Sequence, residues 1–146
     1  MSTTIEFYRA SGSYGFLSNL YKRPLAFEGR LFRSAEDAYQ FGKPKDPAVA
    51  DWLVAAPTPH LVAAAAHALF VFDVTPDWNS RKVERMRDVL RAKFHQHQDL
   101  QEALLETGAA TLIEVSRTDA FWGIGKKGTG KNMLGTLLME IRAALR

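Results

Sequence analysis

The sequence IEVSRTDAFWGIGKKGTGKNMLGTLL, residues 113–138, predicts a strand, a glycine-rich loop and the start of a helix. Its five glycines allow the main chain to approach a ligand closely. Asn132 stands where an N-cap is expected, and free N–H groups at a helix N-terminus attract anions. The loop lysines are Lys126, Lys127 and Lys131. The stretch therefore predicts a phosphate-binding loop beside Asp119, a candidate catalytic carboxylate.

The most similar general motif does not explain this loop. Residues 125–131 fit the spacing G-x-x-x-x-G-K, but Asn132 stands where a P-loop needs Ser or Thr to hold magnesium. Residues 120–123 also lack the pattern of the buried strand that precedes such a loop, so a nucleotide triphosphatase is not indicated. A surface loop with solvated lysines is the alternative. The pair Phe121-Trp122 argues against that alternative, because exposed large aromatic side chains usually have a partner to cover.

Length and composition predict one globular domain covering residues 1–146. The chain has no apolar run long enough for a membrane span and no signal-peptide pattern, so we expect a cytoplasmic protein without a membrane partner. The lack of cysteine excludes disulfides, thiolate catalysis and cysteine-ligated metals. The net charge of +3 suits a phosphorylated small ligand at least as well as a nucleic acid.

The periodicity of the chain predicts an α+β fold with a small sheet. We expect strands at 4–8, 25–27, 30–32 and 111–115, with the middle two joined as a hairpin through Glu28-Gly29. We expect helices from residue 35 to about 43, two between 47 and 69, one from about 78 to 97, one from 99 to 107 and a last one from about 133. Residues 70–74 indicate a short strand or a buried turn.

Two helices carry further candidate residues. Ser34 and Asp37 match a capping box, and Glu36, Tyr39, Gln40 and Lys43 share one face of the helix that follows. A first-turn glutamate is more often only a partner for the helix dipole. The 78–97 helix is rich in basic residues, which indicates either a phosphate-facing surface or a solvated face; these are Arg81, Lys82, Arg85, Arg87, Arg91 and Lys93. Trp78 before it is either a core anchor or a stacking platform for a base.

Eight segments, taken in order, resemble the signature of the NADAR family of YbiA-like N-glycosidases. They are Phe16–Asn19, Ser34–Gln40, Asp77–Trp78, Lys93–Phe94, Leu104–Gly108, Glu114, Asp119–Gly123 and Gly130–Gly135. The chain departs from the family pattern at Asp37, at Gly42–Pro44 and at 66–69, which bears more on substrate identity than on reaction type. The resemblance implies a predominantly helical α+β domain that hydrolyses N-glycosidic bonds of ribose phosphates.

The resemblance also implies which residues act. Glu36, Trp78 and Asp119 take the family's catalytic positions, and Lys43 takes that of a lysine implicated in covalent capture of the sugar carbon. The expected substrate-binding residues are Asn19, Tyr39, Gln40, Trp122, Gly123, Lys126, Lys127, Lys131 and Asn132.

The implied chemistry is metal-independent. Breaking a ribosyl C–N bond develops positive charge on the sugar, which a carboxylate stabilises, and a second acid protonates the departing base or activates water. We therefore expect no metal and no cofactor. The expected substrates are phosphoribosylamino-pyrimidines of early riboflavin synthesis or ADP-ribose attached to guanine, with nucleic acid a partner only as an ADP-ribosylated substrate. A non-catalytic module that binds ADP-ribose or a nucleotide is the alternative from another class.

Overall fold

In the computed structural model, residues 3–146 are described, and they contain six α-helices and four β-strands. The predominantly helical α+β class is confirmed, with two separate two-stranded sheets. None of the helices in this range is both long and apolar enough to cross a membrane. The elements are β1 (Thr4–Phe7), β2 (Lys22–Phe27), β3 (Arg30–Ser34), α1 (Ala35–Gln40), α2 (Pro47–Val54), α3 (Pro59–His67), α4 (Trp78–Gln96), α5 (Gln98–Glu106), β4 (Thr111–Glu114) and α6 (Met133–Ala144).

The described residues divide into two compact units. The central unit comprises residues 22–93, and the terminal unit comprises residues 3–21 and 94–146. The prediction of one domain is not tested by this division and stays a prediction.

The central unit begins with the predicted hairpin. β2 and β3 pair antiparallel, with Leu25 opposite Phe32. Glu28 and Gly29 both have left-handed backbone angles, φ 51° and 76°, which is the requirement of a two-residue hairpin turn whose twist matches the strands. The hairpin prediction is confirmed, and the strands are longer than expected.

Helix α1 lies at the middle of the central unit, where it packs on the hairpin and on α2 and α3. Leu25, Phe32, Ala35, Ala38 and Val89 form a buried cluster that joins the hairpin, α1 and α4. Helices α2 and α3 begin as predicted, each with a proline in its first turn and a side-chain N-cap. The core thus fixes α1, which carries several of the candidate residues.

The terminal unit contains the parallel pair β1 and β4, with Thr4 opposite Thr111. Helix α6 packs on β4 and α5 packs on α6. A Cβ atom at Gly135 would lie 2.0 Å from the carbonyl oxygen of Leu112, so only glycine allows α6 this close to β4. Leu134, Leu137, Leu138 and Ile141 are buried and form the apolar face of α6.

Two local predictions are wrong. Helix α1 ends at Gln40 and not near Lys43. Residues 70–74 are neither a strand nor buried, because Val71–Asp73 form a 3₁₀ turn in which the side chain of Val71 is 88% exposed. The rings of Phe70 and Phe72 stack on each other at this surface, with centroids 5.4 Å apart.

The basic residues of α4 do not form the surface that the sequence indicated. Arg85 and Lys93 are buried, with 8% and 1% of their surface exposed. Arg87 and Arg91 each pair with an acidic side chain one turn earlier on the same helix, and Arg81 pairs with Asp77 just before it. The basic residues of α4 therefore do not form one surface, because Arg85 and Lys93 belong to the interior whereas Arg81 and Arg91 are about half exposed.

Candidate active site

The predicted site residues fall into two groups, one in each unit. The central unit holds Glu36, Tyr39, Gln40, Lys43 and Trp78. The terminal unit holds Asn19, Asp119, Trp122, Gly123, Lys126, Lys127, Lys131 and Asn132.

The first turn of α1 is held by the predicted N-cap Ser34 together with Asp37, although Asp37 bonds the Ser34 hydroxyl and not its backbone amide. The Ser34 hydroxyl accepts a hydrogen bond from the Asp37 amide at 3.1 Å and donates to the Asp37 carboxylate at 3.1 Å. Arg33 Nε donates to the other Asp37 oxygen at 2.6 Å. Because Asp37 is buried and held from both sides, the turn that carries Glu36 is fixed.

Glu36 and Gln40 form a hydrogen-bonded pair one turn apart on α1. Gln40 Nε2 donates to Glu36 Oε1 at 2.8 Å. An ionised carboxylate only accepts, so this bond fixes the Gln40 amide and turns its Oε1 away from Glu36. Among the residues that the structure describes, buried Gln40 Oε1 has no hydrogen-bond partner. Since an unpaired buried acceptor costs about 1–3 kcal/mol, Oε1 is suited to a donor group of a ligand.

Lys43 lies in the turn after α1 and is half-buried. Its Nζ donates to the carbonyl oxygen of Ala66 at 2.9 Å. Burial lowers the pKa of the Lys43 amine, the positive charge of Lys82 lowers it further, and Glu36 opposes both effects. A lowered pKa raises the fraction of neutral amine, the form that attacks a sugar carbon.

Trp78 begins α4 and packs against Tyr39 of α1, with ring centroids 5.1 Å apart and the planes at 47°. The indole is only 7% exposed. The start of α4 is tied to the chain after α1, because the Thr75 amide donates to the Lys43 carbonyl at 2.9 Å. This burial favours the core-anchor interpretation of Trp78, and its role as a stacking platform stays a prediction.

In the terminal unit, Asp119 organises the glycine-rich loop. Its Oδ1 accepts hydrogen bonds from the backbone amides of Phe121 at 2.9 Å and Trp122 at 2.8 Å. Its Oδ2 takes part in neither bond. Asp119 thus has a structural task in the loop, and a catalytic role would fall mainly to the second oxygen.

The loop folds back on itself in a way that the sequence did not indicate. The amides of Met133 and Leu134, the first two of α6, donate to the carbonyls of Phe121 at 3.0 Å and Trp122 at 3.1 Å. A Cβ atom at Gly130 would lie 2.6 Å from two carbonyl oxygens of the same loop. The prediction that these first amides are free to bind an anion is therefore wrong.

Asn132 has the position of an N-cap but not its expected function. Its side chain does not cap α6; Oδ1 accepts from the Glu114 amide and Nδ2 donates to the Leu112 carbonyl, both at 2.9 Å. Asn132 itself has a left-handed backbone, with φ 50°. The side chain extends the hydrogen bonding of β4, a role that depends on contacts distant in sequence.

The three loop lysines are exposed. Lys131 Nζ lies 5.4 Å from the ring centroid of Phe121, whose ring meets that of Trp122 edge to face. Phosphate binding by this loop would thus depend on lysine side chains rather than on the first amides of α6. Gly123 is buried beneath β4, where a Cβ atom would lie 2.9 Å from the Glu114 carbonyl oxygen.

A cleft of about 410 Å³ lies at the edge of the terminal unit where β1 and β4 both end. Tyr8, Arg9 and Tyr14 line it together with Val115, which leads into the Asp119 loop. In open α/β sheets, ligands bind beyond the carboxyl ends of parallel strands. The sequence did not lead us to predict this cleft, although Tyr14 in the glycine and serine loop after the first strand was a visible signal.

Asn19, the remaining predicted residue, is buried in the turn that follows the 3₁₀ turn Gly15–Leu17. Within residues 3–146, no group of three or more His, Cys, Asp or Glu side chains could hold a metal ion. Metal independence stays a prediction for the reaction itself.

Comparisons with known proteins agree over nearly the whole chain. A protein of Shigella flexneri serotype 5b named N-glycosidase YbiA is 39% identical over 143 residues, covering 98% of this chain and 89% of that protein. A riboflavin biosynthesis protein of Vibrio vulnificus is 36% identical over 149 residues, covering 100% of this chain and 40% of that protein. The NMR structure of E. coli YbiA matches with a TM-score of 0.89 and 37% identity, covering 99% of this chain and 86% of that one. The family model described as the NADAR domain matches residues 6–146, and the chain therefore belongs to the NADAR domain family.

Proposed function

We propose that this protein is a hydrolase that cleaves the N-glycosidic bond between a phosphorylated ribose and a base or amine. Membership of the NADAR family and the name of the Shigella relative, N-glycosidase, support this reaction type. The observation that carries the proposal is the group formed by Glu36, Gln40 and Lys43. It combines an oriented carboxylate, a buried amide oxygen suited to a ligand donor, and an amine whose pKa is lowered by burial.

The reaction needs charge stabilisation and one proton. As the C–N bond lengthens, its electron pair leaves with the base and positive charge develops on the sugar carbon and ring oxygen. The Glu36 carboxylate stabilises that charge, which is absent from the ground state, and therefore lowers the barrier. Asp119 is the second carboxylate of the scheme. One of the two in its acid form gives the leaving nitrogen its proton, and the water that adds to the sugar carbon returns a proton to that carboxylate.

Lys43 offers a covalent route to the same products. Its neutral amine attacks the sugar carbon as the base departs with a proton, and ring opening then gives an imine between Nζ and that carbon. Water hydrolyses the imine and returns the free amine and the ribose phosphate. The lowered pKa of Lys43 supports this route, because only the neutral amine is nucleophilic.

The proposed substrate is a phosphoribosylamino-pyrimidine of early riboflavin synthesis. The riboflavin biosynthesis protein of Vibrio vulnificus, to which the whole of this chain is similar, supports this choice. An amino-pyrimidine also offers N–H donors that suit the Gln40 acceptor. ADP-ribose attached to guanine is the second substrate class that the assay should include.

Purified protein should be incubated in parallel with a phosphoribosylamino-pyrimidine and with DNA carrying ADP-ribosylated guanine. Released base and released ribose phosphate are measured by liquid chromatography. We expect turnover of the pyrimidine substrate. Tight binding of ADP-ribose without release of any base would instead identify a non-catalytic binding module.

The Glu36→Gln variant tests the assignment of the carboxylate. It should fold normally and lose about 100-fold or more in turnover, the scale of general acid–base catalysis. The matched control is Glu84→Gln, which removes an exposed carboxylate on α4 that pairs only along its own helix. If the Glu36 variant keeps most of its turnover, Glu36 does not act in the reaction.

A further inference from the structure

The guanidinium of Arg85 reaches from α4 into the end of α1. Its Nη2 donates to the Ala38 carbonyl at 2.6 Å and its Nε donates to the Tyr39 carbonyl at 3.0 Å. Its Nη1 pairs with Glu28 of the hairpin turn at 2.9 Å, and the Phe27 ring lies 5.1 Å from the guanidinium carbon. A buried arginine is thus held by two main-chain carbonyls, a carboxylate and an aromatic ring.

These two carbonyls are the ones that a longer α1 would need. In a continued α-helix the Ala38 carbonyl accepts from the amide of residue 42, and the Tyr39 carbonyl accepts from that of residue 43. Here the Gly42 amide donates to Tyr39 at 3.3 Å and the Lys43 amide donates to Gln40 at 3.1 Å. The chain therefore leaves the α-helical pattern at the point where Arg85 donates its hydrogen bonds.

Gly42 provides the space for this contact. A Cβ atom at position 42 would lie 2.2 Å from Arg85 Nε and 2.3 Å from Arg85 Cζ. These distances are far below van der Waals contact, so any side chain at position 42 would displace the guanidinium. Gly42 and Arg85 act as one structural unit although they lie on different elements.

We propose that Arg85 is a positioning residue that ends the Glu36 helix at Gln40 and thereby places Lys43 for the reaction. This inference rests on the proposed function only where it gives Lys43 a part in the reaction. The position of Lys43 follows from the geometry alone. After the helix end, the Lys43 amine reaches the Ala66 carbonyl and its own carbonyl accepts from the Thr75 amide. The charged groups that act on the Lys43 amine are Lys82 from α4 and Glu36 from α1.

The test measures the amine of Lys43 directly. Wild type and variants are reductively methylated across a pH series, and the midpoint for Lys43 is compared with that for exposed Lys131 in the same sample by peptide mass spectrometry. In wild type the Lys43 midpoint should lie below that of Lys131. Arg85→Met should move it up towards that of Lys131, because Lys43 loses its buried position.

Gly42→Ala separates positioning from charge. It keeps the arginine but displaces its guanidinium, so it should shift the Lys43 midpoint in the same direction as Arg85→Met. The double variant should shift it no further than either single change, since the two residues form one unit. If the Lys43 midpoint shifts in Arg85→Met but not in Gly42→Ala, Arg85 acts on Lys43 only through its positive charge. That result would overturn the proposal.

Steady-state kinetics give a second measurement with the substrate that wild type turns over. Arg85→Met should lower kcat by about tenfold or more with KM nearly unchanged, because small misplacements of reacting groups cost this much. Arg85→Lys should recover part of the loss, since one ammonium can reach one of the two carbonyls. Arg81→Met, one turn earlier on α4 and exposed, is the control and should behave as wild type.

The outcomes remain distinct if a variant is unstable or the proposed reaction is wrong. If Arg85→Met fails to fold, the Lys43 midpoints of Arg85→Lys and Gly42→Ala are compared with that of wild type instead. Methylation midpoints report on Lys43 whether or not the protein is an N-glycosidase. An unchanged Lys43 midpoint and unchanged kcat in folded variants would refute the positioning role.

Discussion

Substitution of Asp119 can separate a catalytic charge from a loop-forming hydrogen-bond acceptor. Its Oδ1 accepts two backbone amides, from Phe121 and Trp122. Asp119→Asn keeps an amide oxygen that can accept both bonds, while it removes the charge and replaces the second oxygen by an NH2 group. Asp119→Ala removes the acceptor of both hydrogen bonds.

The expected effects of the two variants differ in size. Hydrogen bonds to a charged group contribute about 1.5–3 kcal/mol each, and solvent at this half-buried position replaces part of that. We therefore expect Asp119→Ala to lower the free energy of unfolding by roughly 2–4 kcal/mol and Asp119→Asn by about 1 kcal/mol. If the charge stabilises the cationic sugar, Asp119→Asn should still lower kcat about 100-fold, as loss of a preorganised electrostatic group does.

Both variants are compared with wild type by urea unfolding and by steady-state kinetics. The matched control is Asp46→Asn, because the Asp46 carboxylate also accepts a backbone amide, that of Ala48 at 2.8 Å, at the start of α2. It should leave kcat unchanged. A kcat for Asp119→Asn within about threefold of wild type would refute the catalytic role and leave Asp119 as a turn residue.

Three further predictions concern binding and stability. Changing Lys126, Lys127 and Lys131 to glutamine should raise KM and leave kcat nearly unchanged, because the phosphate is the same in the ground and transition states; an unchanged KM would return the loop to a solvated surface. Burial lowers the pKa of Lys93 to about 7, so the unfolded chain binds more protons between that value and the ordinary lysine value. The free energy of unfolding should thus rise with pH above about 7, by up to ~1.4 kcal/mol per unit, and an equal slope in Lys93→Met would contradict this. Trp78→Ala should destabilise the protein by about 3–5 kcal/mol if the buried indole is a core anchor, and an unchanged urea midpoint would exclude that role.

Local signals in the sequence predicted most of the fold. Glu28-Gly29 adopts the left-handed pair that a tight hairpin needs, and Ser34 is the N-cap that accepts the Asp37 amide at the start of α1. Each of these features depends on residues within four positions of one another. The chemistry of neighbouring residues was therefore sufficient to predict the hairpin turn and the start of α1.

The contacts of the candidate site could not be predicted from the sequence, because the residues that form them are far apart along the chain. Arg85 meets carbonyls 46 and 47 residues away, and Asn132 bonds to main-chain groups 18 and 20 residues away. Arg85 and Lys93 lie four residues on either side of Val89, which the structure shows to be buried. Their charge suggested a surface position, and the burial of this face of α4 became visible only in the structure.

The glycines of the glycine-rich loop are compatible with two roles, phosphate binding and close packing of the main chain. Glycines that could cradle a phosphate also allow main chain to pack against main chain, and Gly130 and Gly135 here serve the second purpose. Because the first two amides of α6 are already bonded, we expect any phosphate binding at this loop to depend on the exposed lysine side chains. Such charges are screened by salt over about 8–10 Å at physiological ionic strength, whereas fixed amides in a buried nest are screened much less. KM for a phosphorylated substrate should therefore rise with added salt, and this dependence should disappear when the three lysines are neutralised.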